Sequence, residues 1–271
     1  VMRGGPSTGI PTKSEQTDLN LAVYGLHGDA PHIVVAPLSV SDCLFATQWA
    51  VHLAESRQAP AIVLSDQFLG QARAVIDKPA DVAFIARREV ADTPGEAYHR
   101  YAVTASGVSA MALPGTSGGQ YTADGLEHSP RGTPSSRVED HDDQLNKRRT
   151  KIENFDYGDH WASVEGSGDV AIVTWGSVSS AVREAAKRAR RQGIETRVVA
   201  MRLLAPARPE AMTAALEGVA KVLTVEQSHG GQFYRFLRAH YDLPTETQAF
   251  YRPGPLPIRP AEIVDRLKNW S

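Results

Sequence analysis

Short apolar runs separated by helix-period segments constrain this chain more than any other feature. Ile33-Val-Val-Ala36, Ala61-Ile-Val-Leu64, Val170-Ala-Ile-Val173, Thr196-Arg-Val-Val199 and Val222-Leu-Thr-Val225 are each of strand length. Runs that lack in-out alternation belong to strands covered on both faces, which points to a parallel sheet between helices. Between the first two runs, residues 41–55 predict a helix with an apolar face at Leu44, Thr47, Val51 and Ala54. After the third, Val178, Ala181, Val182, Ala185, Ala186 and Ala189 share one side of a helix that stops at Gly193. The basic run Lys187-Arg-Ala-Arg-Arg191 is the solvated face of that helix rather than a nucleic-acid patch. Pro209 to Leu216 supplies another helix. Residues 12–26 predict one more, with Thr12-Lys-Ser-Glu15 in the form of a capping box and Gly25 and Gly28 at its end.

The strand-helix beat breaks from Gly107 to about Asn154, where glycine, serine, proline and charge dominate. A connection of that length serves as a linker or carries function. The expectation is therefore two α/β units, residues 1–110 and 166–271, joined by an irregular linker over 111–165. A chain of 271 residues with 42% hydrophobic content can fill two such cores. Twenty-nine basic against 31 acidic residues leave a formal charge of -2, which excludes a field suited to nucleic acid. No apolar run approaches the roughly 20 residues that cross a bilayer, and the start has no charged-then-apolar leader, so a cytoplasmic protein is expected. Cys43 is the single cysteine, which rules out internal disulfides and a self-contained iron–sulfur cluster with its usual four thiolates. Any such cluster would sit on a partner. Val1-Met2 leads straight into a glycine turn and reads as a strand entered midway, with the residues that complete the first unit expected upstream.

In open parallel sheets ligands gather beyond the carboxyl ends of the strands. Three segments fit that position. In the first, Arg3 offers a planar charged fork for a carboxylate, Gly4 and Gly5 allow a ligand close to the backbone, and Thr12 stands at a helix start. The alternative is that Arg3 pairs with a surface acid and Thr12 only caps its helix. In the second, Ser39 and Ser41 follow a strand, where helix capping is the ordinary role. In the third, Glu226 to Gln232 passes through Gly230-Gly231 into a helix and could take an anion such as a coenzyme A phosphate, or need its glycines only for the turn. His27 sits at a helix end, and no histidine spacing suggests a metal site. No Gly-x-Gly-x-x-Gly follows a strand and no Walker loop occurs, so a stand-alone nucleotide-binding protein lacks support.

The run Arg3-Gly-Gly-Pro-Ser-Thr-Gly-Ile-Pro-Thr-Lys-Ser-Glu-Gln16 resembles the signature of the alpha subunit of 2-oxoacid:ferredoxin oxidoreductases, in particular the 2-oxoglutarate type. Ala36 to Cys43, Val63 to Asp66, Gly125 to His128, Lys147 to Lys151 and residues 169–232 are similar as well. The resemblance implies part of a pyrimidine-binding-type thiamine diphosphate domain followed by a transketolase C-terminal-like α/β domain. It implies that Arg3 and Thr12, beside Gly4 and Gly5, contact the substrate carboxylate. It further implies thiamine diphosphate shared with a beta subunit that holds the diphosphate, its Mg2+ and a [4Fe–4S] cluster, coenzyme A as co-substrate, ferredoxin as acceptor, and a dimer of heterodimers. The family's Tyr-Pro-Ile-Thr-Pro segment and the glutamate that activates the aminopyrimidine have no match here, so the chain alone is expected to be inert. Pyruvate or another 2-oxoacid as substrate, and a non-catalytic assembly subunit, are the alternatives.

Overall fold

The computed structural model describes all residues except 8, 79–85, 93, 96–97 and 271. The elements in chain order are α1 (Leu19–Tyr24), β1 (Ile33–Val35), α2 (Asp42–Arg57), β2 (Ala61–Val63), α3 (Gln67–Gln71) and α4 (Val138–Glu153). After a 3-10 turn at Gly158–Trp161 come β3 (Ala162–Glu165), β4 (Val170–Trp175), α5 (Val178–Arg190), β5 (Thr196–Met201) and β6 (Leu203–Ala205). The chain then forms α6 (Pro209–Ala215), β7 (Lys221–Glu226), α7 (Gln232–His240), β8 (Glu246–Tyr251) and α8 (Pro260–Lys268).

All five apolar runs form strands. β4, β5, β7 and β8 are parallel, in the order β3-β5-β4-β7-β8, with β3 antiparallel at the edge. The chain leaves β4 for β5 on one side and returns to β7 on the other, so the order reverses between β4 and β7. That switch point opens a crevice at the carboxyl ends of these two strands. The stripe of α5 holds: Val178, Val182, Ala185 and Ala189 are buried, and with Ile263, Val264 and Leu267 of α8 they cover one face of the sheet.

The second sheet is small, β2-β1-β6, with β1 and β2 parallel and β6 antiparallel to β1. Its third strand comes from residues 203–205, within the segment expected to belong to the second unit. One apolar core joins the sheets, running from Met2, Leu19 and Val34 through Trp49 to Trp175, Met201 and Phe233. The two units are therefore fused along a shared core rather than tethered.

Three expectations are corrected. The face of α2 is rotated: Ala46, Trp49, Ala50 and Leu53 are buried, whereas Leu44 and Val51 are 44% and 52% exposed. Apolar residues occur all round this helix, and the bulk of Trp49, packed edge-on to Tyr157, selects the side that enters the core. The helix expected over 12–26 is confined to Leu19–Tyr24, because the backbone of Lys13 and Gln16 is spent on tertiary hydrogen bonds to Gly4 and Gln227. The linker expected to be irregular contains the 16-residue helix α4. Only Gln144, Lys147 and Ile152 of α4 are buried, so the sequence carries no apolar stripe there. Charge placement supports the helix instead, with Glu139 and Asp140 in its first turn and Lys151 in its last.

Among the described residues no helix is long and apolar enough to cross a membrane, and no cluster of three or more His, Cys, Asp or Glu could hold a metal ion.

Glu127 ties the preceding loop to α4 through a two-point contact with Arg148, 2.5 and 2.9 Å, and a third bond to His141 at 2.8 Å. Partial burial would raise the carboxyl pKa, but the bonds from Arg148 and His141 outweigh it and pull it from 4.5 to about 2. A carboxylate whose folded-state pKa is depressed adds stability above its unfolded pKa and loses it as pH falls. The thermal midpoint of the native protein should therefore drop from pH 6 to pH 3.5 by more than that of Glu127→Gln. Equal acid sensitivity in the two proteins, measured by circular dichroism melts, would remove this ion pair from the account.

Candidate functional site

The segment Arg3 to Thr17 folds as a closed loop at the carboxyl edge of both sheets. It starts beside β2: Met2 is 1% exposed, its N–H donates to Ser65 O at 2.7 Å, and its carbonyl accepts from Gln67 N at 3.0 Å. This is an isolated parallel bridge, Met2 to Asp66, outside the named strands. Beyond it the loop is closed by Gly4 N–H to Lys13 O, 3.0 Å, and Ile10 N–H to Gly4 O, 2.9 Å. Gly9 has φ +56°, and a Cβ there would lie 1.4 Å from Gly4 O, so only glycine permits the closure.

Arg3 stands one residue outside, and Thr12 one residue inside, the Gly4–Lys13 bond that closes this loop. Both side chains are exposed. The Arg3 carbonyl accepts from Thr17 Oγ1 at 3.3 Å, while among the described residues no hydrogen bond or ion pair engages its guanidinium. The surface-acid pairing is thus not observed. Thr12 does not cap a helix. Its φ is +46°, in the left-handed region, and Glu15 turns inward to accept from Gly254 N–H at 2.7 Å. The two glycines differ: Gly4 is buried with no room beside Ile10 and Glu15, whereas a Cβ on Gly5 would meet nothing within 4 Å. Gly4 serves packing, and Gly5 leaves open space next to Arg3. Thr12 also lines a largely apolar cavity of about 500 Å³, with Lys13, Phe68, Val178 and Leu256 among its walls. Arg3 stands outside it.

What holds this loop in place is Gln16, which the sequence reading did not single out. Its amide enters the crevice between β4 and β7. Nε2 donates to Trp175 O at 2.8 Å, Oε1 accepts from Gln227 N–H at 2.8 Å, and its own N–H donates to Gln227 O at 2.7 Å. Gln227 returns the contact through Nε2 to Ser14 O at 3.1 Å. Asn20 N–H and Thr17 O are both bonded by Gln232. The switch-point crevice, where a doubly wound sheet commonly takes a ligand, is filled by the chain itself. A glutamine gives only a weak signal of such a role, since the same residue is ordinarily a solvated surface side chain.

The other two candidate segments are also internally satisfied. Glu226 is 1% exposed and accepts from the N–H groups of Phe233 and Tyr234, both 2.9 Å, and from Ser228 Oγ at 2.8 Å. The start of α7 is thus occupied by the protein's own carboxyl group. Burial raises the pKa of Glu226, and the N–H bonds only partly offset it. Ser39 receives Asp42 N–H at 3.1 Å, so capping is its role, while Ser41 makes no cap bond. Asp42 in turn pairs with Arg202 at 2.9 Å.

Residues 1–147 match the family model of the thiamine-diphosphate-binding domain of pyruvate flavodoxin/ferredoxin oxidoreductases. Residues 159–235 match the transketolase C-terminal domain. The chain is 34% identical over 99% of its length to the alpha subunit of 2-oxoacid:ferredoxin oxidoreductase 2 from Aeropyrum pernix, of which it spans 42%. It is 31% identical over 98% of its length to the 2-oxoglutarate synthase subunit KorA from Methanothermobacter marburgensis, of which it spans 71%. It superposes over 99% of its length, with 38% identity and a TM-score of 0.87, on a 2-oxoglutarate:ferredoxin oxidoreductase from Magnetococcus marinus. That structure holds 2-oxoglutarate, coenzyme A and succinyl-CoA, and the chain covers 47% of it.

Gln16→Ala removes two buried side-chain hydrogen bonds and leaves Trp175 O and Gln227 N–H without those partners. The cost should be about 1–3 kcal/mol, with faster amide exchange concentrated in residues 2–17. Exchange in that segment unchanged from the native protein would show that the glutamine does not hold the loop.

Proposed function

Because the chain belongs to the pyruvate flavodoxin/ferredoxin oxidoreductase family, we propose that it is part of the alpha subunit of a 2-oxoglutarate:ferredoxin oxidoreductase, with Arg3 and Thr12 as the grip on the substrate's C1 carboxylate. The observation that carries the reading is the state of Arg3. A permanently charged fork with no partner among the described residues stands on a closed loop beside the open space at Gly5. The overall reaction converts a 2-oxoacid and coenzyme A into an acyl-CoA and carbon dioxide, and passes two electrons to ferredoxin. Thiamine diphosphate, when bound, supplies the carbon nucleophile and the sink for the electron pair left by the departing carboxylate.

The residues of this chain contribute position. A two-point contact from Arg3 fixes the plane of the carboxylate, and the Thr12 hydroxyl adds a third point. Fixing that plane directs the carbon–carbon bond that must break. The left-handed backbone at Thr12 and the glycine-dependent closure at Gly9 make the geometry a property of the loop rather than of a helix end. The rest of the machinery is assigned elsewhere in the same proposal. The diphosphate with its Mg2+ and the [4Fe–4S] cluster belong to a beta subunit, a choice in line with the single cysteine, Cys43. Parts of the alpha subunit outside this chain, which spans 42% of the Aeropyrum pernix relative, complete the pyrimidine site. A dimer of heterodimers working in the cytoplasm, and the division into residues 1–110, 111–165 and 166–271, complete the reading.

In the assembled complex, Arg3→Ala should lower kcat/KM for 2-oxoglutarate by about two orders of magnitude, the loss of a few kcal/mol at a charged hydrogen-bonded contact. Arg3→Lys should recover only part, because an ammonium keeps the charge and not the fork. Ferredoxin reduction followed optically provides the measurement, and native kinetics in Arg3→Ala would sink the assignment. A panel of pyruvate and branched 2-oxoacids fixes the substrate.

A further inference from the structure

α4 places three basic side chains, Lys147, Arg148 and Lys151, around a small cavity of about 120 Å³ that Arg100 closes from the facing loop. The wall is built rather than accidental. Gly107 has φ +72°, and a Cβ on it would come within 2.6 Å of Lys147 O and Lys151 N, so the turn seats directly on the helix backbone and only glycine fits. Gln144, 2% exposed, fastens the other side through Nε2 to Tyr101 O at 2.9 Å.

The charges of this cavity do not balance. Arg148 is paired with Glu127, which it shares with His141. The remaining three cations hydrogen-bond only neutral groups among the described residues, and Lys147 also feels the Glu127 carboxylate that Arg148 holds. Lys151 Nζ donates to Gln58 O at 2.7 Å, and Arg100 to Gln58 Oε1 at 2.6 Å and Ser109 O at 3.2 Å. Lys147, 9% exposed, has no closer partner than Gln144 Oε1 at 3.5 Å. Burial, reinforced by the neighbouring cations, pulls the pKa of each lysine from 10.5 down to about 8. Buried charges in folded proteins are normally paired; Lys147 is buried and Arg100 and Lys151 half-buried, and among the described residues none of the three bonds a carboxylate, which describes a site short of an anion.

We propose that Arg100, Lys147 and Lys151 bind a single phosphate group. The cavity is far smaller than the roughly 300–1,000 Å³ that enclose a whole small molecule. It therefore suits one tetrahedral oxyanion, either free phosphate or the terminal monoester of a longer molecule that extends into solvent. A dianion answers three surrounding cations better than a carboxylate does, and guanidinium and ammonium groups together are the usual protein partners of phosphate. The site shares no residue with the Arg3 loop, so it stands whether or not the reaction proposed above is correct.

Titration of inorganic phosphate into the assembled protein by calorimetry should show one saturable site per chain and a rise in thermal midpoint. Lys147→Met and Lys151→Met should each weaken binding at least tenfold and abolish the phosphate-induced thermal shift, while Lys147→Arg keeps both and Arg3→Ala changes neither. Because Lys151 keeps part of its surface exposed, its variant covers the case in which Lys147→Met fails to fold. Competition by coenzyme A but not by 3′-dephospho-coenzyme A would identify a ligand-borne phosphate, and competition by neither would identify free phosphate. Absence of saturable phosphate binding, as when a carboxylate from another segment already fills the cavity, overturns the proposal. So does binding that both methionine variants leave intact.

Discussion

The amide of Gln16 is the contact on which the arrangement of this molecule turns. It joins the last residue of β4 to the residue after β7 and at the same time anchors the loop that carries Arg3 and Thr12. A parallel sheet leaves polar groups at the carboxyl ends of its strands, and where the strand order reverses they have no neighbouring strand loop to satisfy them. Here a side chain from the other unit takes that place. Gly176, with φ +62°, leaves the room: a Cβ there would lie 2.9 Å from Gln16 Nε2. The fused core from Met2 to Phe233 follows from the same docking, because the buried Leu19 and Ala22 sit only a few residues beyond Gln16.

Much of the fold was legible because periodicity and burial agree where a segment has one apolar side. The stripe of α5 and the unbroken runs of β4, β5 and β7 are of this kind, since each faces helices on both sides of one sheet. α2 was legible as a helix and not in orientation. Leu44 and Val51 match the period as well as Ala46 and Leu53 do, and only packing of the large Trp49 distinguishes them. α4 was illegible because it buries chiefly Gln144, Lys147 and Ile152, so tertiary hydrogen bonds and charge placement decide its existence. The three residues of β6 are too few to carry any pattern, and their pairing with β1 is a long-range event that no local rule contains.

The site divides in the same way. Arg3, Gly5 and Thr12 are legible chiefly through resemblance to a family, and the bonds of Gly4 to Lys13 and Ile10 close the loop that carries them. The capping box at Thr12 to Glu15 was a local rule overridden by tertiary structure: Glu15 finds Gly254 N–H, and Thr12 adopts a left-handed backbone that a helix start excludes. Gly4, expected to admit a ligand, instead packs against Ile10. Spacing identifies a glycine-rich loop but cannot say which glycine faces the void.

How each charge is compensated separates structure from binding more sharply than position does. Glu226 lies at a helix start that could attract a phosphate, yet its carboxyl group already uses the free N–H groups there. Asp42 and Arg202, about one-seventh exposed, satisfy each other. Both are complete, and adding an anion or cation to either would leave a partner unpaired at a cost typical of buried groups. Arg3 is exposed and has no side-chain partner among the described residues, so in its proposed role the gain from a carboxylate rests on geometry rather than on relief of burial. Lys147 is incomplete and buried, and there the protein itself bears a desolvation cost that a bound anion would offset. On the two proposals, these positions take different ligands: a planar carboxylate that orients a reaction at Arg3, and a compact dianion that neutralises a cavity at Lys147.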